Sequence, residues 1–364
     1  MKHRNINKVV IAGGGTGGHL IPAFAIADAL KKQKKDIDIM FIGSCRGLEA
    51  KLYKNRSEKY YLINIRGISR SLRLKSLFEN IFIVPFEFIR GIIRVFKIFS
   101  NFKPDIVIGT GGYSSAIPLF VSRFKSIEIM LQEQNAIPGL VNKFFLKKAS
   151  KVFFGFAPNH MEDNFINSGN PILLKDSSTK KTYNKNERFK IFIIGGSQGS
   201  TPINNHFINN YHKYLDMGIS LIWQCGKNNV KKIKETIISE EVDICGFIDP
   251  IDMCDYYSSS DLVISRAGAL TLSELANFNI PSILIPFPHA ANNHQMHNAE
   301  YFKSNKSAEI VNQNDLSQGE LENKVDSFLA DSQLLISMRQ EIKKISKPNA
   351  ASLIASEVLK VRYV

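Results

Sequence analysis

The sequence predicts an α/β protein of two Rossmann-like domains whose parallel sheets face an interdomain cleft. Three observations carry this. At 364 residues, 44% hydrophobic and 22% charged, the chain has apolar material for about two cores of ordinary domain size. Two segments open alike, an apolar strand running into a glycine-rich turn and then a helical pattern: Lys8–Ala12 (KVVIA) into GGGTGGH, and Phe189–Ile194 (FKIFII) into GGSQGS. Most other apolar runs are followed by helical patterns too, and buried strands that feed glycine turns and helices are the units of parallel sheets.

In chain order, the first domain has strands expected at Lys8–Ala12, Ile37–Ile42, Asp105–Ile108, Glu128–Gln132 and Lys151–Phe154, with the helix IPAFAIADALKK after the first. A change in texture at Ser168–Pro171 (SGNP), followed by the polar run Lys175–Glu187, places a boundary between domains 1–169 and 170–347. The second domain has Phe189–Ile194, a helix from Pro202, then strands at Ile219–Gln224, Leu262–Ile264 and Ser282–Pro286. Leu353, Ile354, Val358 and Leu359 recur at helical spacing, so 348–364 reads as a final helix, expected to pack back on the first domain.

Charge is unevenly spread. The net charge is +14; residues 1–170 hold 26 Lys and Arg against 12 Asp and Glu, and the remainder 21 against 21. Such asymmetry points to an anionic partner, nucleic acid or membrane, for one domain only. Cys45, Cys225, Cys245 and Cys254 form no C-x-x-C pair. They read as free, mostly buried thiols in a reducing compartment rather than a disulfide framework or zinc site. The first fifteen residues lack the apolar core of a signal peptide, and no run of about 18 apolar residues exists to span a bilayer.

The segments that carry chemistry all follow strands. Gly13–His19 (GGGTGGH), Gly109–Ser115 (GTGGYSS) and Gly195–Ser200 (GGSQGS) allow close backbone approach, and each leads into a helix whose first N–H groups suit an anion. One such loop is a tight turn in the plainer reading; three at strand ends point to a phosphorylated ligand. His19 starts the helix beside the first loop. Glu133–Gly139 (EQNAIPG) offers a carboxylate and two amides for a hydroxylated or amide-bearing molecule, or is ordinary loop polarity. In Ser265–Glu274 (SRAGALTLSE), Glu274 suits two vicinal hydroxyls, or merely complements a helix start. His289, His294 and His297 in PFPHAANNHQMHN lack zinc-helix spacing, which favours sugar recognition over a metal.

Together these motifs resemble the MurG family of bacterial glycosyltransferases. GGGTGGHLIPAFAIA, GTGGYSS, EQNAIPG, GGSQGS, SRAGALTLSEL and PHAANNHQMHNA stand in family order from residue 13 to residue 299, so the resemblance spans nearly the whole chain. It implies the GT-B architecture and an inverting hexosyltransferase. N-acetylglucosamine would pass from UDP-GlcNAc to the muramyl sugar of undecaprenyl-pyrophosphoryl-MurNAc-pentapeptide, lipid I to lipid II, in peptidoglycan synthesis and hence cell shape and division. It further implies a peripheral protein on the cytoplasmic face of the inner membrane, with an anionic lipid surface as partner and neither nucleic acid nor cofactor. Carried over, Thr16, Gly17, Gly18 and Asn135 reach the donor from the first domain, and Ser197 meets its diphosphate. Ile248 offers backbone groups to uracil. Ala269, Leu270, Thr271, Leu272, Ser273 and Glu274 line the nucleotide, with Glu274 on the ribose, and His294 and Gln295 touch the sugar. Gly14, Gly15, Gly111, Gly112, Tyr113 and Glu133 serve the acceptor. Two departures stand out: Leu173 occupies a place after the GNP motif where the family often has Arg, with Lys175 two residues on, and His294 replaces a second glutamine of some members.

The residues fit that chemistry independently. Glycosyl transfer needs charge stabilisation on the leaving diphosphate, which helix N-termini supply without an obligatory metal, and deprotonation of the acceptor hydroxyl. His19 is the base, since imidazole titrates near working pH, or equally the group that orients the acceptor phosphate. Other readings share parts of the pattern: a diacylglycerol glycolipid synthase, a UDP-sugar epimerase, an NAD-dependent oxidoreductase (which lacks its ribose acid after the second strand) and a nucleic-acid-binding protein. Finally, residues 66–103 hold Arg66, Arg70, Arg73, Lys75, Arg90, Arg94, Lys97 and Lys103 against Glu79 and Glu87, interleaved with Phe78, Ile81, Phe82, Phe86, Phe88, Ile92, Ile93 and Phe96. Pro85 breaks or starts a helix there. The segment reads as an interfacial membrane patch, with core-packed helices bearing solvated basic faces as the plainer alternative.

Overall fold

The computed structural model describes residues 5–67, 77–158, 160–174 and 188–360. Arg70, Arg73, Lys75, Lys175 with the run to Glu187, and the chain from 361 onward lie outside them. The chain divides into two compact units, 1–173 with 349–364, and 174–348.

In the first unit the strands are β1 (Lys8–Gly13), β2 (Asp38–Ser44), β3 (Lys59–Ile63), β4 (Ile106–Gly111), β5 (Glu128–Glu133), β6 (Lys151–Phe154) and β7 (Phe165–Asn167). They form one sheet in the order β3-β2-β1-β4-β5-β6-β7, all neighbours parallel. Alternation along the strands sends Val9, Ile11, Phe41, Ile106 and Ile108 to one face, against Leu20, Phe24, Ala27 and Leu30 of the helix Gly17–Gln33. Val10, Met40, Ile42, Val107 and Leu131 go to the other, against Val95, Phe99, Ile117 and Val121 of the helices Val84–Phe102 and Tyr113–Phe124. The last helix, Ala350–Leu359, adds Ile354, Ala355 and Val358 to the first of these clusters. Gln33 Nε2 ties it down by donating to Ser352 O at 2.9 Å.

The second unit repeats the plan with β8 (Phe189–Ile194), β9 (Ile219–Gln224), β10 (Val242–Cys245), β11 (Leu262–Ser265), β12 (Ser282–Leu284) and β13 (Ala308–Ile310). The order is β10-β9-β8-β11-β12-β13, again parallel. Ile191, Ile193, Trp223 and Ile264 pack on Ile203, Phe207 and Tyr214 of the helix Thr201–Asp216.

Strand order reverses between β1 and β4, and again between β8 and β11. Ligands of open parallel sheets bind at the carboxyl ends of the strands beside such reversals. At the first reversal the register slips by a residue: Ala12 opposes Gly109, but Gly13 opposes Gly111. Bulges of this kind re-aim the chain next to functional sites.

Three sequence expectations meet the structure differently. The edge strands β3, β7, β10 and β13 were not foreseen. Of the two readings of Pro85, break or start, the structure bears out the second: it sits in the first turn of Val84–Phe102, where its missing N–H is tolerated, and a five-residue π turn, Glu79–Ile83, runs into it. Of the four free cysteines only Cys225 is buried; Cys45 is exposed.

Candidate active site

In the first unit three neighbouring strands, β1, β4 and β5, end in the three loops singled out from the sequence. After β1 the chain passes through Gly14, Gly15 and Thr16 into a helix beginning at Gly17. Glu49, fully buried, holds this loop: its carboxylate accepts from Gly15 N–H at 2.9 Å and from Ser44 N–H at 2.7 Å. Tyr53 Oη donates to Gly13 O at 3.1 Å, and burial with Glu49 alongside pushes its hydroxyl far above its usual range. Gly15 stands at φ +90°, a conformation that favours glycine.

His19 lies against the second loop. A side chain at Gly111 (φ +97°) would come within 2.8 Å of His19 Nδ1, and one at Gly112 (φ +78°) within 2.3 Å of Gly14 O. Both glycines are therefore required for the imidazole to lie where it does. His19 Nδ1 is 2.8 Å from Gln134 Oε1, and Thr110 Oγ1 donates to His19 O at 3.0 Å. Tyr113 packs across Gly67, where a Cβ would meet its ring at 2.4 Å.

Glu133 differs from the expectation. It is 1% exposed, and its oxygens accept from Asn135 N–H (3.0 Å), Gly139 N–H (3.0 Å) and Asn142 Nδ2 (2.8 Å). Its carboxylate shapes the EQNAIPG loop that carries Asn135 instead of reaching outward.

In the second unit the ends of β8, β9, β10, β11 and β12 lie side by side. Ser197 is exposed on the first of these loops, between Gly196 (φ +90°) and Gly199 (φ +76°). The loop presses on the end of β9, where a Cβ on Gly199 would lie 2.0 Å from Cys225 O. Ile248 is buried and has only its backbone to offer. Helix Ala269–Phe278 follows Gly268, and its period turns Leu272 into the core, while Ser273 Oγ is spent on Ala269 O at 2.9 Å. Both of these side chains turn inward. Leu270, Thr271 and Glu274 stay partly exposed. Glu274 accepts from Tyr257 Oη at 2.9 Å; burial raises its carboxyl to about 7 against that hydrogen bond. Past β12, His294 Nδ1 donates to Ala291 O at 2.8 Å, and Gln295 Oε1 accepts from Phe287 N–H at 2.9 Å. His297 pairs with Glu300 at 3.2 Å.

Sequence reasoning missed Glu49 and Arg266, and read Gln134 only as one of two amides for a ligand, whereas it is buried against His19. Arg266, 9% exposed at the end of β11, donates to Ser200 Oγ (2.7 Å), Gln313 Oε1 (2.6 Å), Ile285 O (3.0 Å) and Pro286 O (3.2 Å). These acceptors are neutral, and burial brings the guanidinium down to about 10. Within SRAGAL it directly follows the strand, and nothing local signals that four acceptors converge on it.

Residues 9–154 match the N-terminal domain of glycosyltransferase family 28, and residues 190–354 its C-terminal domain. A UDP-N-acetylglucosamine--N-acetylmuramyl-(pentapeptide) pyrophosphoryl-undecaprenol N-acetylglucosamine transferase of Natranaerobius thermophilus is 34% identical, over 95% of this chain and 97% of its own length. The chain belongs to the MurG family. A relative of the same name from Flavobacterium psychrophilum is 33% identical, over 97% of both chains. Among solved structures, MurG of Acinetobacter baumannii superposes with a TM-score of 0.80 at 24% identity, covering 98% of this chain and all of that one. A UDP co-structure of S. aureus MnaA gives 0.66 at 14% identity, over 97% of this chain and 96% of that one, a likeness of fold. The MurG family fold is GT-B, two parallel-sheet α/β domains.

Proposed function

We propose that the protein transfers N-acetylglucosamine from UDP-GlcNAc to the muramyl sugar of undecaprenyl-pyrophosphoryl-MurNAc-pentapeptide, turning lipid I into lipid II with inversion. The observation that carries this is the match, at about a third identity and end to end, to transferases of that name. Glycine loops at the strand-order reversal of each sheet support it. The acceptor hydroxyl oxygen attacks C1 of the sugar, the C1–O bond to the diphosphate breaks onto UDP, and the hydroxyl proton passes to a base. His19 is that base. Gly14, Gly15, Gly111, Gly112 and Tyr113 flank it as the acceptor side, with Thr16, Gly17, Gly18 and Asn135 toward the donor. The loop bearing Ser197 and the first turn of Ala269–Phe278 meet the diphosphate with backbone N–H groups. Glu274 takes the ribose hydroxyls, Ile248 the uracil, and His294 with Gln295 the sugar.

The protein works at an anionic membrane surface on the cytoplasmic side. Phe82, Phe86, Ile89, Ile93 and Phe96 recur every three or four residues along one exposed helix face, from 42% exposed at Phe96 to 65% at Ile93. Arg90, Arg94 and Lys97 flank them, exposed. Among the described residues no helix is long and apolar enough to cross a membrane. A row of phenylalanines and isoleucines edged by cations suits headgroup contact.

The test is UDP release from UDP-GlcNAc with and without lipid I. Release that requires lipid I, and falls roughly 10²–10⁴-fold in His19→Ala, is expected. Equal release without acceptor contradicts the reading.

A further inference from the structure

We infer that Gln134 is a positioning residue that fixes His19 in the Nδ1–H tautomer and so leaves Nε2 as the proton acceptor. This rests on the reading of His19 as base. The assignment follows from which atoms can donate. The nitrogen end of the Gln134 amide lies 2.8 Å from Thr110 O and 3.3 Å from Gln132 O. Backbone carbonyls only accept, so that end must be the NH2 group and the other the oxygen. The oxygen meets His19 Nδ1 at 2.8 Å. An amide oxygen also only accepts, so Nδ1 carries the proton, and a neutral imidazole has its lone pair on the other nitrogen. Among the described residues no hydrogen bond reaches Nε2.

Gln134 cannot turn over. The Gln132 side-chain oxygen faces the same NH2 group; Gln132 Nε2 in turn donates to Asn170 Oδ1 at 2.9 Å. Asn170 Nδ2 closes the ring on Gln134 O at 3.0 Å. All three amides are buried. The glycines at 111 and 112 hold the ring from the side, since a Cβ there would lie 2.8 Å from Nδ1 and 3.2 Å from Cδ2. A neutral partner orients the imidazole without the extra charge that a carboxylate would put beside it, which would favour the imidazolium form.

The experiment uses the full chain with 15N-labelled histidine, at about pH 8 where imidazole is neutral, with the His19 signals assigned by their loss in His19→Ala. Wild type is expected to show a single Nδ1–H tautomer, and Gln134→Leu a mixture or the reverse. In acceptor-dependent turnover, Gln134→Leu should lower kcat about 10²-fold, as misplaced catalytic groups do, with the KM for UDP-GlcNAc within about twofold. Gln134→Glu, whose protonated carboxyl keeps an oxygen facing Nδ1 and a hydroxyl facing Thr110 O, should keep the Nδ1–H tautomer and recover part of kcat. Because Gln134→Leu strips a donor from buried carbonyls, its spectrum is recorded well below its melting midpoint, and Gln134→Glu, whose protonated carboxyl restores a donor, carries the test if the Leu variant melts early. An unchanged tautomer in Gln134→Leu, or a Gln134→Glu variant no more active than Gln134→Leu, overturns the inference. Normal turnover in His19→Ala would instead sink the base reading and leave the tautomer result standing.

Discussion

Glu274 shows how one side chain's surroundings set a measurable behaviour. In the role proposed for it, its carboxyl, held near 7 by burial, must be ionised to accept from two ribose hydroxyls. UDP affinity should therefore strengthen as pH rises from about 6 to about 8. In Glu274→Gln that dependence should vanish, and the Kd at high pH should rise roughly 10- to 100-fold, the loss of hydrogen bonds to a charged group. Calorimetric titration across the pH range checks it; a wild-type Kd flat with pH contradicts it. Stability runs the other way. A carboxyl whose folded value stands above its ordinary 4.5 contributes stability that is complete below about 4.5 and lost as pH rises through about 7. Glu274→Gln should accordingly melt closer to its pH 5 value at pH 8 than wild type does. The Glu274 position was legible because SRAGALTLSE names a strand-end helix start. Gln134 was equally visible inside EQNAIPG, but its role needed Thr110 O from another strand, which no local pattern supplies.

At the scale of elements, Arg266 joins loops from three places, through Ser200, the Ile285–Pro286 carbonyls and Gln313. Arg266→Met would leave those carbonyls buried without donors, at about 2–4 kcal/mol. The thermal midpoint of the second unit should drop by about 4–16 °C, and UDP should bind more weakly because Ser200 anchors the glycine loop. A midpoint within about 1 °C of wild type contradicts the arrangement. The amphipathic segment makes a separate prediction. Arg90→Glu with Arg94→Glu should cut co-sedimentation with anionic vesicles, each basic residue near such a surface counting for about 1 kcal/mol, and the defect should shrink with salt. Phe82→Ser with Phe86→Ser should weaken binding at both salt levels. Binding as strong as the parent's in both variants would mean this face does not meet lipid. The strands missed from the sequence share one property: β3, β7, β10 and β13 are the outermost strands of their sheets. Edge strands are covered less, so KYYLI and VDIC keep polar residues that break the continuous apolar run of a central strand.

Across the whole molecule, the repeated opening of apolar strand, glycine turn and helix was enough to foresee two sheets of one plan, because central parallel strands must be apolar on both faces. The net charge of +14, all of it within residues 1–170, marked one half of the chain for an anionic partner; charge alone could not choose between nucleic acid and lipid. The full-length match to named transferases bears on the activity, which fold cannot settle, since epimerases share the architecture. The most direct measurement follows the sugar itself. Supplied with UDP-GlcNAc labelled in its sugar and with lipid I in anionic vesicles, the protein should move label into the lipid fraction as a β-linked disaccharide, one UDP released per sugar moved. Label that stays water-soluble while UDP is released, or that is recovered as an epimerised nucleotide sugar, would contradict the account.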